Sequence, residues 1–200
     1  MMHISVYNNG YVFCKSGFYT AHDVLSDKIV DFSAGANKLV GSIDSGNWGI
    51  SYLLSMYNSN RKDFILFKEA VVSVNDATVS LDEFSECSCY MDTVYPLFSK
   101  KTPVDKLVAK GLKKSKADTT PEEVRELFCI DKERFTRPLS QLGNEVFQAM
   151  AAIGYANGKD VFCFPWLSEM RYCYYQVRID VLAKTLESLG KVVILPLEKE

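Results

Sequence analysis

Gly41-Ser42-Ile43-Asp44-Ser45-Gly46-Asn47-Trp48-Gly49-Ile50-Ser51-Tyr52-Leu53-Leu54 joins an apolar, strand-like run (Lys38 to Ile43) to a helical pattern (Ile50 to Tyr57). A glycine-rich turn in that setting presents backbone N–H groups and a helix N-terminus to an anion. Loops that hold triphosphates add a lysine on the β- and γ-phosphates and a hydroxyl on Mg²⁺. Gly49 and Ser51 occupy the matching places here, and Ile50 stands where the lysine is needed. Taken alone, the stretch reads equally as a plain strand–helix turn.

Outward from that loop, the flanking segments alternate between strand and helix signals. His3 to Tyr7 and Tyr11 to Lys15 flank Asn8-Asn9-Gly10, the signature of a hairpin. Phe64 to Phe67 and Ala70 to Val74 are apolar and β-branched, and Asn75-Asp76 supplies a turn before a strand from Thr78 to Leu81. Thr102-Pro103-Val104-Asp105 starts a helix with Val104, Leu107, Val108 and Leu112 at helical period. Thr120-Pro121-Glu122-Glu123 is a capping box with proline at the first helical position, opening a helix through Phe128. A further helix from Asn144 to Ala156 stops at Asn157-Gly158. The strand Val161 to Phe164, the amphipathic stretch Tyr174 to Leu189 and the strand Val192 to Leu195 complete the chain. Short apolar strands alternating with helices imply a parallel sheet covered on both faces.

Composition narrows the function classes. The 200 residues are 48% hydrophobic and 24% charged, an ordinary globular balance. With 23 basic against 25 acidic residues, net charge −2, there is no broad electrostatic footprint for nucleic acid. The one basic cluster, Lys110, Lys113, Lys114 and Lys116, reads first as a solvated helix end. No run approaches the ~18–20 apolar residues of a membrane span, and Met1 to Val6 lacks the pattern of a signal peptide. A cytosolic location is therefore expected, with the six cysteines reduced and most of them buried thiols. Cys87-Ser88-Cys89 is not a zinc spacing, and His3 and His22 lie far from it, so no metal site is expected.

The order of these elements resembles the nucleotide-binding domain of ABC transporters, the ABC ATPase family of P-loop NTPases. The resemblance implies an α/β fold: a P-loop NTPase-like parallel sheet with helices on both faces, an N-terminal antiparallel β subdomain and an inserted helical subdomain. It implies one domain over 1–200, with the core at about 1–93 and 139–200 and the helical subdomain at about 94–138. In that family an aromatic near the N-terminus stacks on adenine, a place matched by Phe13 (or Tyr11). The phosphate loop reads GPxGxGKST. Without a gap, Asp44 and Asn47 replace its first two glycines, Gly49 matches the third, Ile50 replaces the lysine and Ser51 matches the Mg²⁺-binding serine. A shifted register, Gly41-x4-Gly46-Asn47, keeps the glycine spacing and still lacks lysine.

Later stations are altered too. Thr93 or Asp92 stands where the family's glutamine senses Mg²⁺. Leu142, Gly143, Asn144 and Glu145 fall on the signature motif, and Pro165 and Trp166 replace the two carboxylates that end the Walker B strand. Leu197 or Glu198 replaces the switch histidine. Phosphoryl transfer rests on positioning and charge neutralisation, and a lysine–phosphate hydrogen bond alone contributes ~1.5–3 kcal/mol. Losing these groups together leaves no residue assigned to catalysis. The resemblance thus implies a pseudo-ATPase that needs no cofactor and works by protein interaction. Its partner would be an ABC permease, an active ATPase subunit or a second copy, docked through Tyr95 to Lys114, with the membrane reached only through that partner. The alternatives are a transporter subunit that still binds ATP–Mg weakly, and an unrelated α/β binding module.

Overall fold

The computed structural model describes residues 2–7, 11–15, 18–21, 29–42, 47–59, 64–66 and 71–199. The chain opens with the strands β1 (His3–Tyr7), β2 (Tyr11–Lys15), β3 (Phe18–Ala21), β4 (Ile29–Ser33) and β5 (Gly35–Val40). β1 and β2 form where the sequence places them, but they do not pair with each other. β1 pairs antiparallel with β4, while β2 pairs with β3. The expected pairing of β1 with β2 is not formed, and Asn8-Asn9-Gly10 lies outside the described residues. Ile4 and Val6 of β1 are wholly buried, so this strand takes the centre of its sheet and needs a neighbour on each side.

The chain continues through α1 (Asn47–Met56), β6 (Phe64–Leu66), β7 (Val71–Val74) and β8 (Ala77–Val79). β6 joins β2 and β3, and β7 and β8 extend the first sheet to the order β4-β1-β7-β8. Asn75 and Asp76, at φ 49° and 67°, turn β7 into β8 with Val74 opposite Ala77, the two positive φ values that a tight two-residue hairpin requires. The strand expected to run to Leu81 ends at Val79, because Ser80 caps a helix, α2 (Leu81–Cys87). The Ser80 hydroxyl accepts from Glu83 N–H at 3.2 Å, and the Glu83 carboxylate accepts from Ser80 N–H at 3.0 Å. Ser80-x-x-Glu83 is the sequence signal of that cap.

After β9 (Ser88–Tyr90) come α3 (Val104–Ser115), α4 (Pro121–Leu127), α5 (Lys132–Phe135), α6 (Val146–Ala156), β10 (Val161–Cys163), α7 (Glu169–Ser188) and β11 (Val192–Leu197). The Thr120 capping box forms as expected, with Glu123 accepting from Thr120 N–H at 2.7 Å. β5, β11, β10 and β9 build one parallel sheet in that order. Every residue of β9, β10 and β11 is buried, as in a sheet covered on both faces. Phe162 and Phe164 face α6, where Phe164 packs 5.1 Å from Phe147. Cys163 faces the Ser51 and Ser55 hydroxyls of α1 on the other side. α6 approaches so closely at Gly154 that a Cβ there would lie 2.9 Å from Phe162 and 3.0 Å from the Cys89 sulfur.

α7 is longer than the expected Tyr174 to Leu189. It buries Tyr172, Ile179, Leu182, Ala183 and Leu186, yet leaves Met170, Tyr174, Val177 and Val181 on its outer face. No helix among the described residues is long and apolar enough to cross a membrane.

Candidate functional site

The strand that leads into the glycine-rich turn, β5, is separated from β10 by the single strand β11. Ligands of open α/β sheets bind outside the carboxyl ends of the strands, so the site is assembled from Gly41, α1, Phe164 to Leu167 and Leu197. Gly41 N–H donates to the Leu197 carbonyl at 2.8 Å, and Leu167 N–H donates to the Pro196 carbonyl at 3.0 Å. These bonds carry the sheet ladder past the named strands and hold the three chain segments side by side.

Ser51 is fully buried, and its hydroxyl donates to the Phe164 carbonyl at 2.6 Å. The need for that bond follows from the ladder. Phe164 N–H donates to Ile194, so in parallel register the Phe164 carbonyl should accept from residue 196. That residue is proline and has no N–H. The orphaned carbonyl, facing the interior, is satisfied by Ser51 instead, which matters because an unsatisfied buried acceptor costs ~1–3 kcal/mol. Ile50, expected at the lysine place, is 2% exposed and lies in the core, as does Gly49.

Pro165 is buried and Trp166 partly buried. The indole Nε1 of Trp166 donates to the Gly41 carbonyl at 3.1 Å. It thereby reaches from the end of β10 to the end of β5, two strand spacings or roughly 10 Å apart, across the carboxyl edge of β11. Beyond it, the Asp92 carboxylate accepts from Val94 N–H at 3.1 Å and is tied to its own turn. Leu197 is buried, and Glu198 accepts from Glu169 N–H at 2.9 Å, capping α7. Asn47 opens α1, and Phe13 lies in β2 with its side chain outside the described residues; Asp44 lies outside them altogether.

Leu142, Gly143, Asn144 and Glu145 gather elsewhere, at the start of α6. Leu142 is fully buried and Gly143 turns the chain at φ 55°. Asn144 accepts from Arg134 at 3.1 Å. Glu145, 6% exposed, meets Arg134 at 3.2 Å and Arg178 at 3.8 Å and accepts from Asp131 N–H at 3.3 Å. This buried carboxylate ties α5, α6 and α7 together. Asp160 pairs with Lys191 at 2.5 Å, and Glu169 with Lys199 at 3.1 Å. Among the described residues no three of His, Cys, Asp and Glu gather in a way that could hold a metal.

Of the cysteines, Cys89 and Cys163 are buried and Cys87 is half-buried, but Cys129 and Cys173 are exposed. Burial pushes the Cys87 thiol up to about 11 and the Cys163 thiol up to about 12. Tyr172 is buried and Tyr175 packs edge-on to Phe147 at 5.2 Å, whereas Tyr174 is exposed.

The opposite, amino edge of the sheet holds a groove lined in part by the segment Tyr95 to Lys114. Two adjoining cavities of about 440 and 410 Å³ run between α3, the ends of α1 and α2, and the segment Tyr95 to Thr102. Lys106, Lys110 and Lys114, spaced by four along α3, line them with Lys159. The basic cluster therefore divides: Lys110 and Lys114 face the groove, while Lys113 and Lys116 flank a shallower depression on the other side of the helix. The i, i+4, i+8 spacing from Lys106 was the available signal.

No family model matches this chain, and no curated protein sequence matches it. Its fold is matched by solved structures, among them a Pyrococcus furiosus protein described as an ABC transporter ATP-binding protein. That likeness has TM-score 0.63 at 10% identity and covers 99% of this chain and 92% of that one. The chain therefore has an ABC ATPase-like fold.

Proposed function

We propose that this chain is a catalytically inactive ABC ATPase-like subunit that acts through protein interaction, with an ABC permease or an active ATPase as partner. The observation that carries the reading is the state of the carboxyl edge. The Ser51 hydroxyl is committed to Phe164, Ile50 is packed in the core, and the place of the acidic pair is taken by Pro165 and by Trp166 tethered to Gly41. None of Ile50, Pro165 and Trp166 brings the charge that phosphoryl transfer needs. The chain needs no cofactor in this reading and meets the membrane only through its partner.

Calorimetric titration with MgATP, paired with a phosphate-release assay, tests it. The expected result is no binding heat at millimolar nucleotide and no phosphate above background. Magnesium-dependent turnover would overturn the proposal, and saturable binding without turnover would replace it with a nucleotide-sensing transporter subunit.

A further inference from the structure

Lys159, between α6 and β10, is half-buried and lines the cavity of about 410 Å³ together with the exposed Lys114 of α3. Its ammonium group donates to the Glu86 backbone carbonyl and lies 6.0 Å from the Tyr95 ring centroid. Glu86 is the one carboxylate in this lining, and it forms no ion pair with either lysine. The groups that face Lys159 are Glu86 and Cys87 at the end of α2, Cys89 on β9, Tyr95, and Lys114. Burial raises the pKa of both thiols and keeps them protonated at neutral pH. Lys159 itself is lowered, first by its burial, and the like charge of Lys114 adds to the effect against that of Glu86. A lysine amine held in this way, partly desolvated and next to a second cation, is activated as a nucleophile.

We propose that Lys159 is a site of acyl modification by acyl phosphates, with Lys114 holding the phosphate group of the donor in the shared cavity. In the reaction the neutral Nζ attacks the acyl carbon. The Nζ–C bond forms, the bond from that carbon to the phosphate oxygen breaks, and the electron pair leaves with inorganic phosphate. The amine releases one proton to solvent. Neutral Lys159 still has a hydrogen to donate to the Glu86 carbonyl, so the side chain stays placed while its lone pair reacts. The product is an amide, which removes one of the two lysine charges in the cavity. Lys113 and Lys116, on the other side of α3, lack this enclosure.

The test treats the intact chain with acetyl phosphate at about pH 8, below the ordinary lysine range, and follows each lysine by mass spectrometry of the digested protein. Lys159 should be acetylated at least roughly fivefold faster than Lys113 and Lys116. The same rates are then measured with p-nitrophenyl acetate, an uncharged donor. Lys114→Gln changes the basicity of Lys159 for both donors alike, so the ratio of the two rates isolates the handling of phosphate. That ratio should fall at least roughly threefold at Lys159 in the variant, and added inorganic phosphate should slow the acetyl phosphate reaction alone.

Acetylation of Lys159 no faster than that of Lys113 and Lys116 would overturn the proposal. A rate ratio unchanged by Lys114→Gln, or equal slowing of both donors by phosphate, would also overturn it. These outcomes are independent of the MgATP titration: that experiment interrogates the carboxyl edge, and this one the amino edge.

Discussion

The two edges of the parallel sheet differ in how their polar groups are satisfied. At the carboxyl edge, the structure closes on itself: Ser51 meets Phe164, Trp166 meets Gly41, and Glu198 meets the first turn of α7. At the amino edge, Lys110 and Lys114 line a groove with an apolar floor and form no ion pair with a carboxylate among the described residues. In a sheet of this kind the carboxyl edge is where ligands are expected. Here the lysine-lined groove lies at the other edge. The lesson is that fold places a crevice, while the side chains decide whether it is a site.

The most disruptive way to break the contrast is to place a lysine at position 50. Ile50→Lys should cost roughly 3 kcal/mol or more, because it puts an ammonium group into a packed interior, and urea denaturation should register this with no gain in MgATP affinity. A variant that keeps its midpoint and binds nucleotide would mean that position 50 can still reach the phosphate side.

Ser51→Ala comes next. It leaves the Phe164 carbonyl without the donor that Pro196 cannot supply, and should lower stability by ~1–3 kcal/mol. Adding Pro196→Ala, which restores a backbone N–H in the ladder, should recover a large part of that loss. Failure of this double-variant rescue would refute the link between the two residues.

Trp166→Phe should be milder, about 0.5–1.5 kcal/mol for the lost indole hydrogen bond with the ring volume largely kept. It should also leave nucleotide binding absent. An ATP-binding response on this change alone would make Trp166 a plug over an otherwise competent pocket.

The smallest effects belong to the amino edge. Lys110→Glu should change stability by no more than about 0.5 kcal/mol, as expected of an exposed residue, measured by urea denaturation. pH sharpens the same point through Lys159. Its pKa is depressed below 10.5 in the folded chain, so the unfolded chain binds that proton more tightly. Stability should therefore rise as pH climbs through the window between the folded value and 10.5. Lys159→Gln should remove that rise, measured as the difference in chemical denaturation midpoints across the window.

Much of the fold was legible because local rules and burial agreed. The Thr120 box, the Asn157-Gly158 stop and the continuous apolar runs of β10 and β11 each carry their own signal. The strand before Gly41 and the helix after it were also signalled, although β5 ends at Val40 and α1 begins at Asn47, and residues 43–46 lie outside the described residues. The misreadings arose where partners are distant. Asn8-Asn9-Gly10 suggested a hairpin, yet β1 needed two neighbours, β4 and β7, from further along the chain. The extended reading from Thr78 to Leu81 yielded to Ser80 as a helix cap.

The sequence by itself determined that positions 50, 165 and 166 carry no charge, because residue identity needs no neighbour: Ile50, Pro165 and Trp166 cannot be ionised wherever they fall. Only the tertiary structure decided which groups meet at the carboxyl edge. Hydrogen bonds from Ser51 to Phe164 and from Trp166 to Gly41 span 113 and 125 residues. Likewise, Lys159 joins the lysines of α3 only once β10 has folded beside β9. Pairings over such separations depend on the register of strands, and register is fixed by the packing of the whole sheet rather than by any segment within it.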